Sequence, residues 1–258
     1  MVPSRRLPRL RRRRAGDAAM ARFDLLAARW RRRIRGRLAL TLAVLLAPCA
    51  VAAAIGPGWW DVVASFLAGA WVGAVMYVWD SPPEHVERLR RGAEGERRTA
   101  KELKRLARAE WSVAHDLDAR SGNWDHIVVG RAGVFLLDSK TLLGEAGIAD
   151  GVLVVRRYES PDELSRFDRL GPRLRGAAAD VSRALGGPWV APVVAVWPGL
   201  AAPVSEIDGV TYVDGAHLTE WLESRPAALS TIRRAELTAR LETLAPARRD
   251  GAWERRAA

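Results

Sequence analysis

The chain has 258 residues, with 41 Lys plus Arg against 30 Asp plus Glu, a formal net charge of +11. Residues 1–37 hold 14 Arg and 2 Asp, so the remainder carries 27 bases and 28 acids and is close to neutral. The basic excess therefore excludes itself as a guide to what a folded domain binds, and the single cysteine, Cys49, excludes an intrachain disulfide framework and a cysteine-based metal site.

In chain order, residues 1–37 form a basic arm whose run Arg11–Arg14 suits either a solvated tail or contact with anionic lipid. Residues 38–55 and 62–79 are uncharged and each has the length needed to cross a hydrocarbon core of roughly 30 Å. The short connection Gly56-Pro57-Gly58-Trp59-Trp60-Asp61 carries two aromatics suited to a membrane interface. Residues 38–80 are thus expected to be two transmembrane helices in contact with the lipid bilayer. Arg31, Arg32, Arg33, Arg35 and Arg37 precede the first run and Arg88, Arg90 and Arg91 follow the second. By the positive-inside rule both termini and the soluble domain are expected to be cytoplasmic, in an integral protein of a bacterial-type plasma membrane.

Residues 81–91, opening with Ser81-Pro82-Pro83, read as a linker. Residues 92–225 read as a mixed α/β domain and 226–258 as a helical extension. The periodicity predicts a helix over 94–109, with Ala100, Leu103, Leu106 and Ala107 on one stripe. Strands are expected over 111–116, 125–129, 134–138, 153–157, 190–197 and 210–213, with turns in 144–151. A helix over 163–185 is expected to be interrupted near Gly171-Pro172, and further helices fall over 216–223 and 229–244. This pattern implies a mixed central sheet flanked by helices, preceded by the membrane hairpin.

The chemistry gathers around Asp125-His126-Ile127-Val128-Val129 and Val134-Phe135-Leu136-Leu137-Asp138-Ser139-Lys140, joined through Gly130–Gly133. A two-residue hairpin loop at Arg131-Ala132 places Asp125 opposite Asp138 and Ile127 opposite Leu136, with Lys140 on the same face. Facing carboxylates repel unless a divalent cation lies between them, and oxygen ligands suit Mg²⁺ or Mn²⁺. Glu96 begins the buried stripe of the preceding helix and is expected to approach the same site. Only three lysines accompany 38 arginines, which draws attention to Lys140, a compact charge able to polarise a water or stabilise charge on a phosphate. His126 alternates to the opposite strand face and reads as a core residue. His115 and His217 lack ligand-spaced partners, and Asp116 and Asp118 are expected to begin a loop, with distant metal ligands as the alternative. Arg156, Arg157, Arg166, Arg169, Arg173 and Arg175 read as a solvated surface balanced by acids, with phosphate contact as the alternative.

Three segments, Gly92-Ala93-Glu94-Gly95-Glu96, Trp124–Val129 and Gly133–Lys140, together with His115-Asp116-Leu117 and the apolar strand Pro192–Trp197, resemble the nuclease-related domain (NERD), a branch of the PD-(D/E)xK nuclease-like fold. The resemblance covers about residues 92–200. It implies that Glu96, Asp125, Asp138 and Lys140 form the catalytic set, that Asp125, Asp138 and Glu96 hold Mg²⁺ or Mn²⁺, and that DNA or RNA is the partner. Two positions depart from the family pattern: Asp138 stands where Glu is more usual, and the helix after the core lacks the frequent glutamine. The resemblance thus implies metal-dependent phosphodiester hydrolysis of nucleic acid. The alternative is a non-catalytic, membrane-tethered module that binds nucleic acid or protein while keeping the fold.

Overall fold

Alternating apolar residues and tight turns build the sheet that carries the site. The computed structural model describes residues 14–55, 58–107, 110–119, 122–160 and 162–244. Three antiparallel strands, β1 (Trp111–Ala119), β2 (Gly122–Gly130) and β3 (Gly133–Thr141), are followed by a small sheet of β4 (Gly144–Ala149), β5 (Val152–Arg157) and β6 (Leu164–Arg166). Helix α4 (Leu170–Ala184) returns the chain to β7 (Val190–Trp197), which pairs parallel with β3. Strands β8 (Val204–Ile207) and β9 (Val210–Asp214) complete a six-stranded sheet in the order β1-β2-β3-β7-β9-β8, and α5 (Leu218–Ser224) and α6 (Thr231–Leu244) close the domain. The mixed sheet flanked by helices agrees with the sequence reading.

Strand β7 lies between two parallel neighbours, β3 and β9, and is covered on both faces, which is why it reads as a nearly continuous apolar run. On one face Ile127, Val129, Leu136, Val194 and Val196 pack with Leu174, Ala178 and Val181 of α4 and Leu237 and Leu241 of α6. On the other, Val128, Phe135, Leu137, Val193 and Ala195 pack with Leu103, Leu106, Trp111, Leu218 and Trp221. Successive residues of one strand serve the two cores in turn.

Several element boundaries differ from expectation for local reasons. The expected helix over 94–109 is α3, Glu84–Leu103. It starts directly after Pro83, whose carbonyl accepts from the Val86 and Glu87 amides. Gly171-Pro172 does not interrupt a helix but opens α4, where a proline in the first turn forfeits no intrahelical hydrogen bond. The residues just before it form β6 instead. Asp150 and Gly151 both have positive φ, 48° and 73°, and make the tight turn that pairs β4 with β5. The same Asp-Gly chemistry at Asp208 and Gly209 joins β8, which the sequence reading missed, to β9.

The chain divides into two compact units, one comprising Ala19–Arg90 and the other Met1–Ala18 with Arg91–Ala258. In the first lie α2 (Trp59–Asp80) and most of α1, which runs from Asp17 to Ile55, so the described part of the basic arm is helical rather than a loose tail. Among the described residues no helix is long and apolar enough to cross a membrane, which leaves the expected transmembrane hairpin without structural support.

Candidate active site

The β2–β3 hairpin turns through Arg131-Ala132 with Gly130 paired to Gly133, Val129 to Val134 and Ile127 to Leu136, the register expected from the sequence. The regular ladder ends at His126–Leu137, one step before Asp125 and Asp138. There a side chain takes over from the backbone: the Ser139 amide donates to Asp125 Oδ2 at 2.9 Å. Asp125 and Asp138 line one cleft, and the Lys140 ammonium closes on Asp138 Oδ2 as an ion pair.

This arrangement concentrates charge where water is scarce. Asp125 and Lys140 are densely surrounded by protein yet keep some surface open. Burial pushes the Asp125 carboxyl well above its ordinary range, and the charges of Asp138 and Glu96 push it further. Burial alone would lower the Lys140 pKa, but Asp138 and Asp125 outweigh it and raise it. The surroundings therefore hold Lys140 as an ammonium, which suits charge stabilisation rather than proton acceptance.

Glu96 arrives from the opposite layer. Helix α3 lies on the face where Thr99 meets Ser139, with Ser139 Oγ donating to Thr99 Oγ1 at 2.8 Å. Gly95 permits the close approach, since a Cβ there would stand 2.1 Å from Thr141 Oγ1. Burial raises the Glu96 pKa to about 7, helped by the charge of Asp116 and, more weakly, that of Asp138. Its Oε2 accepts the Gly16 amide at 2.9 Å.

Asp116 is the residue that the sequence reading misplaced, at the start of a loop. It does not begin a loop but sits inside β1, 3% exposed, with φ of 52°. The β1–β2 ladder pairs His115 with His126 and Leu117 with Trp124 and skips the position between, which is Asp116 against Asp125. Asn123 Nδ2 donates to Asp116 Oδ1 at 2.6 Å, and the Ala18 amide donates to Asp116 Oδ2 at 2.9 Å. A non-glycine residue held at positive φ costs on the order of 1–3 kcal/mol and persists only where its neighbours enforce it. The signal available in the sequence was register: once β1 and β2 pair, Asp116 falls opposite Asp125, as Asp125 falls opposite Asp138. The amides of Gly16 and Ala18, at the start of α1, thus serve two acids, Glu96 and Asp116. Gly16 is required for this seat, because its φ is 77° and a Cβ would lie 2.7 Å from the Ala93 carbonyl oxygen.

The reverse face of the same strands carries a satisfied polar chain. His115 Nδ1 and His126 Nδ1 are 2.7 Å apart, His126 Nε2 lies 3.2 Å from Ser139 Oγ, and Trp197 Nε1 donates to Thr99 Oγ1 at 2.9 Å. Burial lowers the His115 pKa to about 4 and drives that of His126 well below its ordinary value. His126 is a core residue, as expected, but His115 has a partner that spacing alone did not reveal. His217 lies far along the chain beside Asp214, outside this cluster.

The cleft holding Asp125 and Asp138 is walled by Leu136, Leu170 and Leu174, with Asn123 and Arg173 among its polar lining. Among the described residues no three His, Cys, Asp or Glu side chains converge as a ready-made metal cage. The Asp125–Asp138 pair nevertheless supplies hard oxygens, and Mg²⁺ commonly binds through one or two carboxylates while keeping waters and substrate phosphate oxygens as its other ligands.

No curated protein and no solved structure matches the chain. One family model does, the nuclease-related domain, over residues 91–195, a stretch that includes Glu96, Asp125, Asp138 and Lys140. The segment from Arg91 to Ala195 is therefore similar to the nuclease-related domain.

Proposed function

We propose that the domain is a Mg²⁺- or Mn²⁺-dependent phosphodiesterase acting on DNA or RNA. The observation that carries this reading is the Asp125–Asp138 pair: two carboxylates lining one cleft, with the charge of Glu96 within electrostatic reach and the Lys140 ammonium on Asp138. Such a cluster is unfavourable in itself, and a divalent cation relieves it. Asp125 and Asp138 would hold the metal, with Glu96 the further acid within electrostatic reach. The metal, when bound, polarises the phosphodiester and lowers the pKa of a bound water. Lys140, kept protonated, stabilises charge developing on the phosphate. The Ser139 amide orients Asp125 through its hydrogen bond, and the Gly16 amide and Asp116 fix where Glu96 sits and how strongly it holds its proton. A nuclease assay of the purified full-length chain with Mg²⁺, Mn²⁺ and EDTA tests this reading. Metal-dependent cleavage supports it. Its absence on every DNA and RNA form tried assigns the chain to the non-catalytic alternative.

We further infer that residues 38–80 hold the protein at a membrane with both termini and the domain on the cytoplasmic side. Support comes from the two uncharged runs flanked by arginine and from apolar side chains left facing outward on their helices. Leu40, Val44, Val51, Val62, Phe66, Met76 and Tyr77 are each more than 60% exposed, an arrangement that lipid accommodates and water does not. Retention of the chain in alkali-washed membranes tests the anchoring. Labelling of cysteines placed at Ser4 and Ala258 by an impermeant reagent tests the sidedness, and labelling from outside intact cells contradicts it.

A further inference from the structure

We propose that Arg173 is the residue that seats the phosphate of the substrate in the cleft, an inference that rests on the phosphodiesterase reading above. Arg173 lies in the first turn of α4, between Leu170 and Leu174, whose buried side chains anchor that turn to the sheet. The helix thereby fixes an exposed guanidinium at a cleft that also contains Asp125 and Asp138.

A place at the cleft without a side-chain partner separates Arg173 from its neighbours. Arg166 pairs with Asp150 and Asp168, Arg183 with Asp180, and Arg175 donates to the Asp208 carbonyl. Among the described residues the Arg173 side chain makes no ion pair or hydrogen bond, although two aspartates line the same cleft. Lys140 is already engaged by Asp138. Among the described residues that line the cleft, Arg173 is therefore the cation that remains for an anionic ligand, and its charge is close enough to oppose protonation of Lys140. The guanidinium fork matches two phosphate oxygens at once, which a lysine cannot do. Leu136, Leu170 and Leu174 form the apolar part of the same wall. An arginine that the sequence alone placed on a solvated surface thus becomes a substrate-binding group, at the start of the helix where the family more often has glutamine.

The test compares full-length wild type, Arg173→Ala, Arg173→Lys and the control Arg183→Ala, using one fluorescent oligonucleotide as substrate. Binding is measured in Ca²⁺ over a series of salt concentrations and cleavage in Mg²⁺. Arg173→Ala is expected to raise KM about tenfold and to reduce the slope of log affinity against log salt by about 1, with kcat changed less than about threefold. Arg173→Lys should restore the salt slope but only part of the affinity, and Arg183→Ala should match wild type. A wild type that cleaves while Arg173→Ala keeps its KM and salt slope overturns the role of Arg173 and leaves the phosphodiesterase reading standing. Wild-type binding that depends on Arg173 without any cleavage overturns that reading and supports the phosphate seat. Absence of both binding and cleavage in wild type overturns both.

Discussion

The two faces of the β2–β3 hairpin are built from alternate residues of the same strands, yet they solve the burial of polar groups in opposite ways. On one face His126 and Ser139, with His115, Thr99 and Trp197, form a chain in which each polar group has a neighbour of matching capacity. On the other, Asp125 and Asp138 crowd together with Lys140, and Glu96 and Asp116 add negative charge nearby. The first is a solution for stability. The second leaves charge uncompensated, and under the proposed function that cost is what makes room for a cation or a phosphate. Burial of a titratable group is thus uninformative alone. What distinguishes the faces is whether the protein itself neutralises what it buries.

The largest effect expected from this contrast is on turnover. Asp138→Asn keeps the shape and removes a charge from the proposed ligand pair, so metal-dependent cleavage should fall by at least about a hundredfold. Lys140→Arg should lower cleavage by about ten- to a hundredfold, because a planar guanidinium does not fit where the ammonium does. Since the surroundings already hold Lys140 protonated, the pH profile of that variant should keep its shape. A profile that loses its basic limb would instead restore proton acceptance to Lys140.

On the satisfied face the prediction reverses. His126→Leu leaves Ser139 and His115 short of a partner and should cost on the order of 2–3 kcal/mol by urea denaturation. Cleavage per folded molecule should stay within about threefold of wild type. Loss of activity without loss of stability would move His126 into the chemistry.

The faces also differ in the sign of their pH dependence without metal. Glu96, raised to about 7 from 4.5, binds its proton more tightly when folded. Its contribution is full below about pH 4.5 and is lost as pH rises toward 7. His115, lowered to about 4 from 6.5, contributes above about pH 6.5 and loses that contribution as pH falls toward 4. Metal-free protein should therefore be most stable near about pH 5–6, and added Mn²⁺ should flatten only the high-pH side. The smallest effect is expected at Gly16→Ala, where the left-handed φ and the nearby Ala93 carbonyl oppose a side chain. It should cost about 1 kcal/mol and speed hydrogen exchange at the Gly16 and Ala18 amides more than in β2 or β3.

Much of the site was legible because a tight hairpin converts sequence spacing into geometry. Arg131-Ala132 sets the register, and the alternation of a strand then assigns Asp125, Asp138 and Lys140 to one face. Asp116 was not legible in that way. Its place depends on the pairing of β1 with β2 and on a positive φ that no local pattern demands, and its amide partner at Ala18 is 98 residues away. Glu96 was found by helical period, but the layer from which it approaches was not, because a stripe tells which side of a helix is buried and not which face of the sheet it covers. The small strands β4, β6 and β8 were missed or read as turns and helix, since short edge strands carry little periodicity. Arg173 was one of six arginines until the fold put it at a cleft and paired Arg166 with Asp150 and Asp168.

The central claim is that Asp125 and Asp138 are kept crowded for a cation, and thermal unfolding of wild type and Asp138→Asn with and without Mn²⁺ tests it most directly. Without metal, Asp138→Asn should melt at or above the wild-type temperature, because one repelling charge is gone. With Mn²⁺, wild type should be stabilised in a concentration-dependent way and the variant should not. A wild type whose melting temperature ignores Mn²⁺, or a variant that responds to it as wild type does, would contradict the claim.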